Sequence, residues 1–237
     1  GIIENEKEYG KEAAVMLCQF TVKNYKSIRD EVTFDMQAAA ISEQEDKIIK
    51  DKDREQFLPV SAIYGPNGGG KSNVLEALHT LAAKVLRPLY AAGTSEERIF
   101  LQKKLIIEPF AFSEETTDQP TEFEVFFRTE SAEYRYILHV KKDVVVYENL
   151  ERVKLDTKRR SALFERHEEI VLKGVFSKLK ISDELSAALP LLSYLGITYK
   201  KNEVVKDVLE WFEYGICFLN YGDPMKELPM AVSTSED

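Results

Sequence analysis

A glycine-rich stretch at residues 65–72, with the sequence GPNGGGKS, limits what this chain can fold into more than any other feature. It follows the pattern glycine, any four residues, glycine, lysine, and then serine or threonine. Consecutive glycines can take backbone angles that are closed to other residues, so their N–H groups can converge on an anion. If a helix begins at the lysine, its unpaired amides and its dipole favour negative charge at the same place. The pattern therefore predicts a loop, here called the P-loop, that binds the phosphates of a nucleotide.

All eight residues of the P-loop, and the asparagine that follows, are predicted to contact the nucleotide. They are Gly65, Pro66, Asn67, Gly68, Gly69, Gly70, Lys71, Ser72 and Asn73. Lys71 is expected to reach the β- and γ-phosphates and is the predicted catalytic residue. The Ser72 hydroxyl is expected to bind the Mg²⁺ ion that bridges those phosphates. ATP with Mg²⁺ is therefore the expected cofactor pair.

The residues on either side of the P-loop predict the strand and the helix that such a loop requires. Residues 57–64 form an apolar run rich in β-branched and aromatic side chains, which indicates a buried strand. After the loop, apolar residues recur with helical spacing, and the helix is predicted to end near Pro88. These apolar residues are Val74, Leu75, Leu78, Leu81, Ala82 and Val85. A glycine-rich turn that precedes Lys-Ser by chance would not require this order of strand, loop and helix.

Composition sets the broad class of protein. The chain has 237 residues, of which 44% are hydrophobic, which is ample for a core. No stretch approaches the roughly 18 uninterrupted apolar residues that cross a bilayer, so no membrane association is expected. The two distant cysteines, Cys18 and Cys217, suggest no disulfide framework, and a cytoplasmic location is expected. The three histidines have no Cys or His partner at zinc-ligand spacing and are interpreted as surface or core residues.

The net charge bears on nucleic-acid binding. A formal charge of −9 argues against a globally basic nucleic-acid binder. A local basic cluster is formed by Lys154, Lys158, Arg159 and Arg160. Such a run is usually a solvated turn, and DNA contact there is left open.

Alternation of apolar and polar residues predicts antiparallel strands before and after the P-loop region. Cys18, Phe20 and Val22 alternate with polar neighbours, and a second such run follows within residues 16–36. Residues 105–112 resume as a predicted strand, and a meander of further strands follows them up to residue 153. Ser182 is predicted to cap a helix rich in Leu and Ala within residues 175–215, and residues 216–219 are interpreted as the start of another strand.

Several short sequences in this order resemble a known group of ATPases. The segment NYKSI at residues 24–28, followed by GPNGGGKSNVLEAL, resembles the ABC-class ATPase heads of the SMC and RecF type. The resemblance is greatest to prokaryotic AAA-labelled ATPases related to the overcoming-lysogenisation-defect (OLD) proteins. Those ATPases also share the sequences LPV, IYG, PTEFEV, YRY and LFER, found here at residues 58–60, 63–65, 120–125, 134–136 and 163–166. The resemblance covers roughly residues 16–219 and is specific as a set.

The resemblance implies a fold and a site. The fold is α/β, with a P-loop NTPase core sheet, an antiparallel β-subdomain and a helical lobe. Lys26 and Ser27 are expected to lie close to the nucleotide, with an exposed hairpin loop as the alternative. Gln102 is the candidate for a lobe-bridging glutamine that helps to hold Mg²⁺, with an exposed polar residue as the alternative.

The resemblance also implies an organisation and a role. Residues 1–15 are expected to be a leader or tag outside the core, and residues 16–237 the N-terminal portion of one ABC-type ATPase domain. Its expected parts are a hairpin, the P-loop strand and helix, an antiparallel meander and a helical lobe, at residues 16–36, 57–90, 105–153 and 175–215. Two heads are expected to form a homodimer through ATP, as a nucleotide-driven switch in phage defence or DNA repair. A nuclease or another effector is the expected partner.

Three parts of an ABC-type ATPase are not recognisable in the sequence: the signature loop, the strand that ends in Asp-Glu, and the switch histidine. Residues 192–196 mimic the start of the signature but sit in an apolar helical pattern typical of core packing. Residues 144–148 end in Glu without the preceding Asp, and residues 216–220 end in Asn. The chain is therefore expected to stop before the C-terminal half of the ATPase, and to bind ATP but hardly hydrolyse it.

Two other functional classes remain open. A P-loop kinase or GTPase is disfavoured because the chain has no Asn-Lys-x-Asp motif for reading guanine and only a poor imitation of an Arg-rich lid at residues 150–166. A nucleotide-binding interaction module with a relict P-loop is disfavoured because the Gly-Lys-Ser sequence is intact. Comparing ATP with GTP separates these possibilities.

Overall fold

The fold is known from a computed structural model. It describes residues 15–39, 48–50, 55–66, 69–93 and 105–218. Residues 1–14, which make up nearly all of the predicted leader, lie outside the described part of the chain.

Most strands belong to one antiparallel sheet. The strands are β1 (Met16–Lys23), β2 (Val32–Asp35), β3 (Ile49–Lys50), β4 (Gln56–Phe57), β5 (Thr121–Arg128), β6 (Ala132–Lys141), β7 (Val144–Lys154), β8 (Arg160–Arg166) and β9 (Ile170–Leu172). Seven of them form a sheet in the order β2-β1-β5-β6-β7-β8-β9, and each neighbouring pair is antiparallel. The other two, β3 and β4, form a short ribbon beside the end of β2, where Gln37 bridges to Phe57.

The longest helix packs against the large sheet and against the two C-terminal helices. The helices are α1 (Lys71–Ala91), α2 (Glu114–Thr117), a 3₁₀ turn (Gly174–Phe176), α3 (Leu191–Thr198) and α4 (Glu203–Tyr214). The long helix α1 contacts β1, β5, α3 and α4. Its buried side chains therefore join the sheet to the two C-terminal helices.

The alternation in β1 explains how the sheet builds the core. Cys18, Phe20 and Val22 are buried because successive side chains of a strand point to opposite faces. On the same core, the ring of Trp211 in α4 stacks on Phe127 of β5 with 4.0 Å between ring centroids. Aromatic pairs of this kind stabilise a fold by about 0.5–1.5 kcal/mol beyond the area that they bury.

The mixed α/β fold class predicted from the sequence is confirmed. The early hairpin and the later meander form one antiparallel sheet, and the C-terminal helices pack together on α1. The details differ from the sequence-based expectations at four places.

The predicted buried strand at residues 57–64 is wrong. Only Gln56–Phe57 pairs as a strand, and the backbone of Leu58 then donates to the carbonyl of Met36. Val60 and Tyr64 are 77% and 90% exposed. A strand with both faces buried needs neighbouring strands, and among the described residues none pairs with residues 59–64.

The predicted strand at residues 105–112 is also wrong. This segment is extended, but its backbone hydrogen-bonds to the loop that follows β1 and not to a strand. The carbonyl of Glu108 accepts from the N–H of Lys26 at 2.9 Å. The Phe110 N–H donates to the side-chain oxygen of Asn24 at 2.9 Å. Pro109 lies between them and has no N–H to offer to a ladder. Strand pairing of the meander begins at Thr121.

Ser182 does not cap a helix. Residues 182–189 form turns, and the helix begins at Leu191. The carboxylate of Glu148, which is fully buried in β7, accepts from the N–H groups of Leu191 at 2.6 Å and Leu192 at 2.9 Å. The cap therefore comes from a distant strand, and a charged acceptor at a helix N-terminus is favourable.

Helix α1 continues beyond Pro88 to Ala91, one turn past its predicted end. Proline lacks an N–H and crowds the preceding turn, yet Leu89 packs against Gly196 of α3 and this packing sustains the helix. Leu75, predicted to join the buried stripe, is 50% exposed.

Candidate functional site

The described part of the P-loop leads directly into α1. Gly70 stands at the N-cap of α1 with φ +81°, a left-handed conformation that glycine adopts without steric cost. A Cβ on Gly69 would lie 3.0 Å from the carbonyl oxygen of Pro66. The glycines therefore allow the close turn that places the first amides of α1 at the loop.

Lys71 is folded back over this turn. Its ammonium nitrogen donates to the carbonyl oxygens of Gly65 and Pro66, both at 2.7 Å. None of the ion pairs found among the described residues involves Lys71, so its positive charge is offset only by carbonyl dipoles. A bound anion would be a stronger partner than these neutral acceptors.

A loop from the start of the chain lies against α1 beside the P-loop. This loop, residues 24–28, is called the anchor loop. Three consecutive residues of it hydrogen-bond to three residues of α1. The pairs are Tyr25 with Thr80 at 2.9 Å, Lys26 with Glu76, and Ser27 with Asn73 at 2.7 Å. Positions 73, 76 and 80 share one face of a helix, so the anchor loop runs along that face towards the N-terminus of α1.

The tip of the anchor loop reaches the P-loop itself. A Cβ on Gly70 would lie only 2.9 Å from the hydroxyl oxygen of Ser27. Ser27 thus lies beside Gly70, and both Lys26 and Ser27 are bonded to α1. Contact with the nucleotide stays a prediction.

The charges of the anchor loop are fixed by their neighbours. Partial burial lowers the pKa of the Lys26 ammonium. The hydrogen bond with Glu76 raises this pKa, and the overall shift is upward. Burial raises the pKa of Tyr25 despite its hydrogen bond with Thr80. At neutral pH the site therefore presents an ammonium group at Lys26 and a neutral phenol at Tyr25.

A cavity of about 210 Å³ opens beside the P-loop. It is lined by Phe34, Ser61, Ile63, Lys71, Ser72 and Leu75. The exposed Ser72, which is the predicted Mg²⁺ ligand, thus lines a cleft that has both apolar and polar walls.

Some predicted site residues lie outside the described part of the chain. They are Asn67 and Gly68 of the P-loop and the predicted Mg²⁺ ligand Gln102. Within the described ranges, no group of three or more His, Cys, Asp or Glu residues could hold a metal ion.

Sequence reasoning missed the partners of the anchor loop on α1. Glu76 and Thr80 belong to no motif, and Tyr25 stands out only as part of the NYKSI segment. One signal was present, since Asn73, Glu76 and Thr80 lie on one helix face that is polar beside an apolar stripe. Nothing local in the sequence identifies which distant loop contacts that face.

Two mimics of ABC-type motifs take part in the core instead. Ser193 is fully buried and its hydroxyl donates to the carbonyl of Val85 at 2.7 Å. Gly196 leaves room for the side chains of Leu89 and Leu209. Glu148 caps α3, as described above. These residues are structural, as the sequence analysis expected.

A glycine-rich loop that ends in Lys-Ser at the start of a long helix, within a mixed α/β fold, defines a P-loop domain. Residues 60–202, more than half of the chain, match a protein family described as "AAA domain, putative AbiEii toxin, Type IV TA system". The chain belongs to this family of P-loop ATPase domains. It is therefore a nucleotide-binding domain of the AAA/ABC-type ATPases, which generally use ATP and Mg²⁺. A comparison with curated proteins gives no match.

None of the helices in the described part of the chain is long and apolar enough to cross a membrane.

Proposed function

We propose that this chain is the ATP-binding head of a nucleotide-driven switch. The P-loop would hold the phosphates of ATP, and Lys71 would donate to the β- and γ-phosphates in place of the carbonyls of Gly65 and Pro66. Ser72 would bind Mg²⁺, and Lys26 and Ser27 of the anchor loop would lie close to the phosphates. The main support is the position of Ser27, whose hydroxyl lies beside Gly70 at the N-terminus of α1.

Electrostatics supports an anionic ligand at this place. The N-terminus of α1 and the ammonium of Lys71 both favour negative charge. No acidic residue occurs in the first turn of α1. The nearest described carboxylate on the same helix face, Glu76, is paired with Lys26. A triphosphate supplies the charge that these groups lack.

Equilibrium binding of a fluorescently labelled ATP in the presence of Mg²⁺ tests the proposal. Lys71→Ala is expected to weaken ATP binding by about 10- to 100-fold, because it removes charge-assisted hydrogen bonds worth about 1.5–3 kcal/mol. The matched control is Lys178→Ala, at an exposed lysine in the turn after the 3₁₀ helix. Equal affinities of Lys71→Ala and the parent chain would overturn the proposal. Competition with GTP separates an ATP-specific site from a GTPase.

We further propose that the chain binds ATP far better than it hydrolyses it. Hydrolysis of the γ-phosphate needs a group that positions water and acidic residues that hold Mg²⁺. Among the described residues, the buried carboxylate of Glu148 is engaged by α3 and no carboxylate pairs with Lys71. Phosphate release by this chain that disappears in Lys71→Ala would contradict this proposal.

The biological role is proposed from the family and from the sequence resemblance. The family description includes a toxin of a type IV toxin–antitoxin system, which supports a role in defence against phage. The resemblance to OLD, RecF and SMC-type heads supports an ATP-dependent homodimer that acts on a nuclease or another effector, with DNA repair as the related role. Gln102 remains the proposed lobe-bridging ligand, and residues 16–237 the proposed N-terminal portion of the ATPase domain. Light scattering with and without ATP tests dimerisation.

A further inference from the structure

Asn24 holds the anchor loop in an unusual way. It directly follows β1, is 2% exposed, and has φ +54°, in the left-handed region. Asparagine tolerates this conformation better than most residues because its short polar side chain can bond locally. Lys26, two residues further on, also has a positive φ of 49°. Backbone hydrogen bonds between Tyr25 and Ile28, at 2.8 and 2.7 Å, close the anchor loop on itself, so contacts outside the loop determine where it lies.

The side chain of Asn24 provides such contacts. Its nitrogen shares two hydrogens among three carbonyl oxygens, and its oxygen accepts one backbone N–H. The carbonyls belong to Thr116, Gln119 and Pro120, at 2.8, 3.1 and 3.1 Å, and the N–H belongs to Phe110, at 2.9 Å. All four partners lie in residues 110–120, so one side chain joins the anchor loop to that segment.

The backbone of Asn24 and its neighbour complete the connection. The carbonyl of Asn24 accepts from the hydroxyl of Thr121 at 2.7 Å, and the N–H of Lys26 donates to the carbonyl of Glu108 at 2.9 Å. The strand β1, in contrast, is held separately by its ladders with β2 and β5. Loss of the side-chain bonds of Asn24 therefore removes most of the hydrogen bonds that join the anchor loop to residues 108–121, while β1 stays paired.

We propose that Asn24 is a positioning residue for nucleotide binding. It does not touch the nucleotide; it fixes the anchor loop so that Lys26 and Ser27 are in place at Gly70 before the nucleotide arrives. A loop that is already ordered loses less conformational entropy on binding, so affinity is higher. This inference rests on the proposed function, because it requires the phosphates to bind between the P-loop and the anchor loop.

The substitution Asn24→Asp tests the inference with almost no change in shape. Aspartate has no N–H to donate, and its carboxylate would face the carbonyls of Thr116, Gln119 and Pro120. ATP affinity of the full chain, measured with labelled ATP and Mg²⁺, is expected to fall about tenfold. In a background with Lys26→Ala and Ser27→Ala, the same substitution is expected to change affinity little, since the groups that it positions are gone.

The matched control is Asn149→Asp. Asn149 is also a buried asparagine, 6% exposed, and its side-chain nitrogen donates to the carbonyl of Phe164 within the sheet. It is expected to lower stability but to leave ATP affinity unchanged. A purely structural role of Asn24 would make the two variants behave alike.

Thr121→Val is a second, milder test in case Asn24→Asp does not fold. It removes only the hydroxyl that donates to the Asn24 carbonyl, and it is expected to weaken ATP binding by about threefold. The inference is overturned if either folded variant binds ATP as the parent chain does, or if Asn24→Asp loses as much affinity without Lys26 and Ser27 as with them. If the parent chain binds ATP and Lys71→Ala does not, the proposed function stands whatever the outcome at Asn24. Failure of the parent chain to bind ATP overturns both.

Discussion

The hydroxyl oxygen of Ser27 lies 2.7 Å from the side-chain nitrogen of Asn73, although the two residues are 46 positions apart in the sequence. This bond joins the anchor loop to the first turn of α1. The same hydroxyl would lie 2.9 Å from a Cβ on Gly70. The glycine at this P-loop position thus serves two purposes: it adopts a left-handed conformation, and it leaves space for a residue from another part of the chain.

Gly70→Ala is expected to destabilise the fold for both reasons. The left-handed conformation costs an alanine about 1–2 kcal/mol, and the added methyl group would also displace Ser27. In the double variant with Ser27→Gly, the methyl group at position 70 no longer meets the Ser27 side chain, so that part of the lost stability should be recovered. The part that is due to the left-handed φ of residue 70 should remain. Urea unfolding of the two single variants and of the double variant measures both parts. Strictly additive losses would contradict the contact.

The ion pair between Lys84 and Asp143 is expected to respond asymmetrically to substitution. The Lys84 side chain is only 10% exposed while that of Asp143 is 52% exposed, and their charged atoms are 2.6 Å apart. Asp143→Asn leaves a buried ammonium without its carboxylate and should cost about 1–3 kcal/mol. Lys84→Met puts an apolar side chain at the buried position and leaves the Asp143 carboxylate exposed to water. It should therefore hardly change the free energy of unfolding. Thermal unfolding of both variants decides this, and equal losses would contradict the asymmetry.

Glu148 is expected to make stability depend on pH. Burial raises the pKa of its carboxyl, although the N–H groups of Leu191 and Leu192 and the hydroxyl of Tyr136 favour the charged form. The folded chain then binds this proton more tightly than the unfolded chain. The resulting stability is present below the ordinary carboxyl pKa and is lost as pH rises through the folded pKa. The free energy of unfolding of the parent chain relative to Glu148→Gln should therefore fall as pH rises above the ordinary carboxyl pKa of about 4.3.

Glu165→Gln is the control of opposite sign for this titration. The hydrogen bond from Lys173 lowers the pKa of the Glu165 carboxyl. Its contribution to stability should therefore grow as pH rises through the carboxyl range, and it should be small because both side chains are over 40% exposed. Urea unfolding across the pH range measures how each carboxyl contributes to the free energy of unfolding. If the contributions of Glu148 and Glu165 changed with pH in the same direction, the two assigned pKa shifts would be contradicted.

The sequence predicted those parts of the fold that follow from local patterns. Alternation identified β1 through its residues Cys18, Phe20 and Val22, and helical spacing identified α1. The P-loop pattern predicted a helix directly after the glycines, and α1 begins at Lys71. In each of these cases the relevant contacts are either within the element or with one apolar face.

The sequence could not predict what depends on distant partners. Residues 57–64 have the composition of a buried strand, but burial requires neighbouring strands that composition does not specify. The N-terminus of α3 is capped by Glu148, 43 positions away from Leu191, and no local pattern carries that information. The role of Asn24 has the same origin, because its four side-chain bonds all reach to residues 110–120.

The segment at residues 192–196 offers a further test of whether a sequence mimic has functional meaning. Ser193→Ala removes a buried hydroxyl and leaves the carbonyl of Val85 without this donor, and it should cost about 1–3 kcal/mol. Gly196→Ala would place a Cβ 2.4 Å from a methyl group of Leu209 and 3.0 Å from one of Leu89. Overpacking of this kind should cost about 1–3 kcal/mol.

Neither substitution is expected to change ATP affinity once the variants are measured at a temperature where they are folded. The reason is that Ser193 and Gly196 contact the far half of α1, at Val85 and Leu89, and not the turn that begins at Lys71. If these residues instead formed a signature loop that contacts nucleotide across a dimer, both variants would retain stability and lose ATP-dependent association. Circular dichroism for stability, with light scattering for association, therefore separates packing from nucleotide recognition.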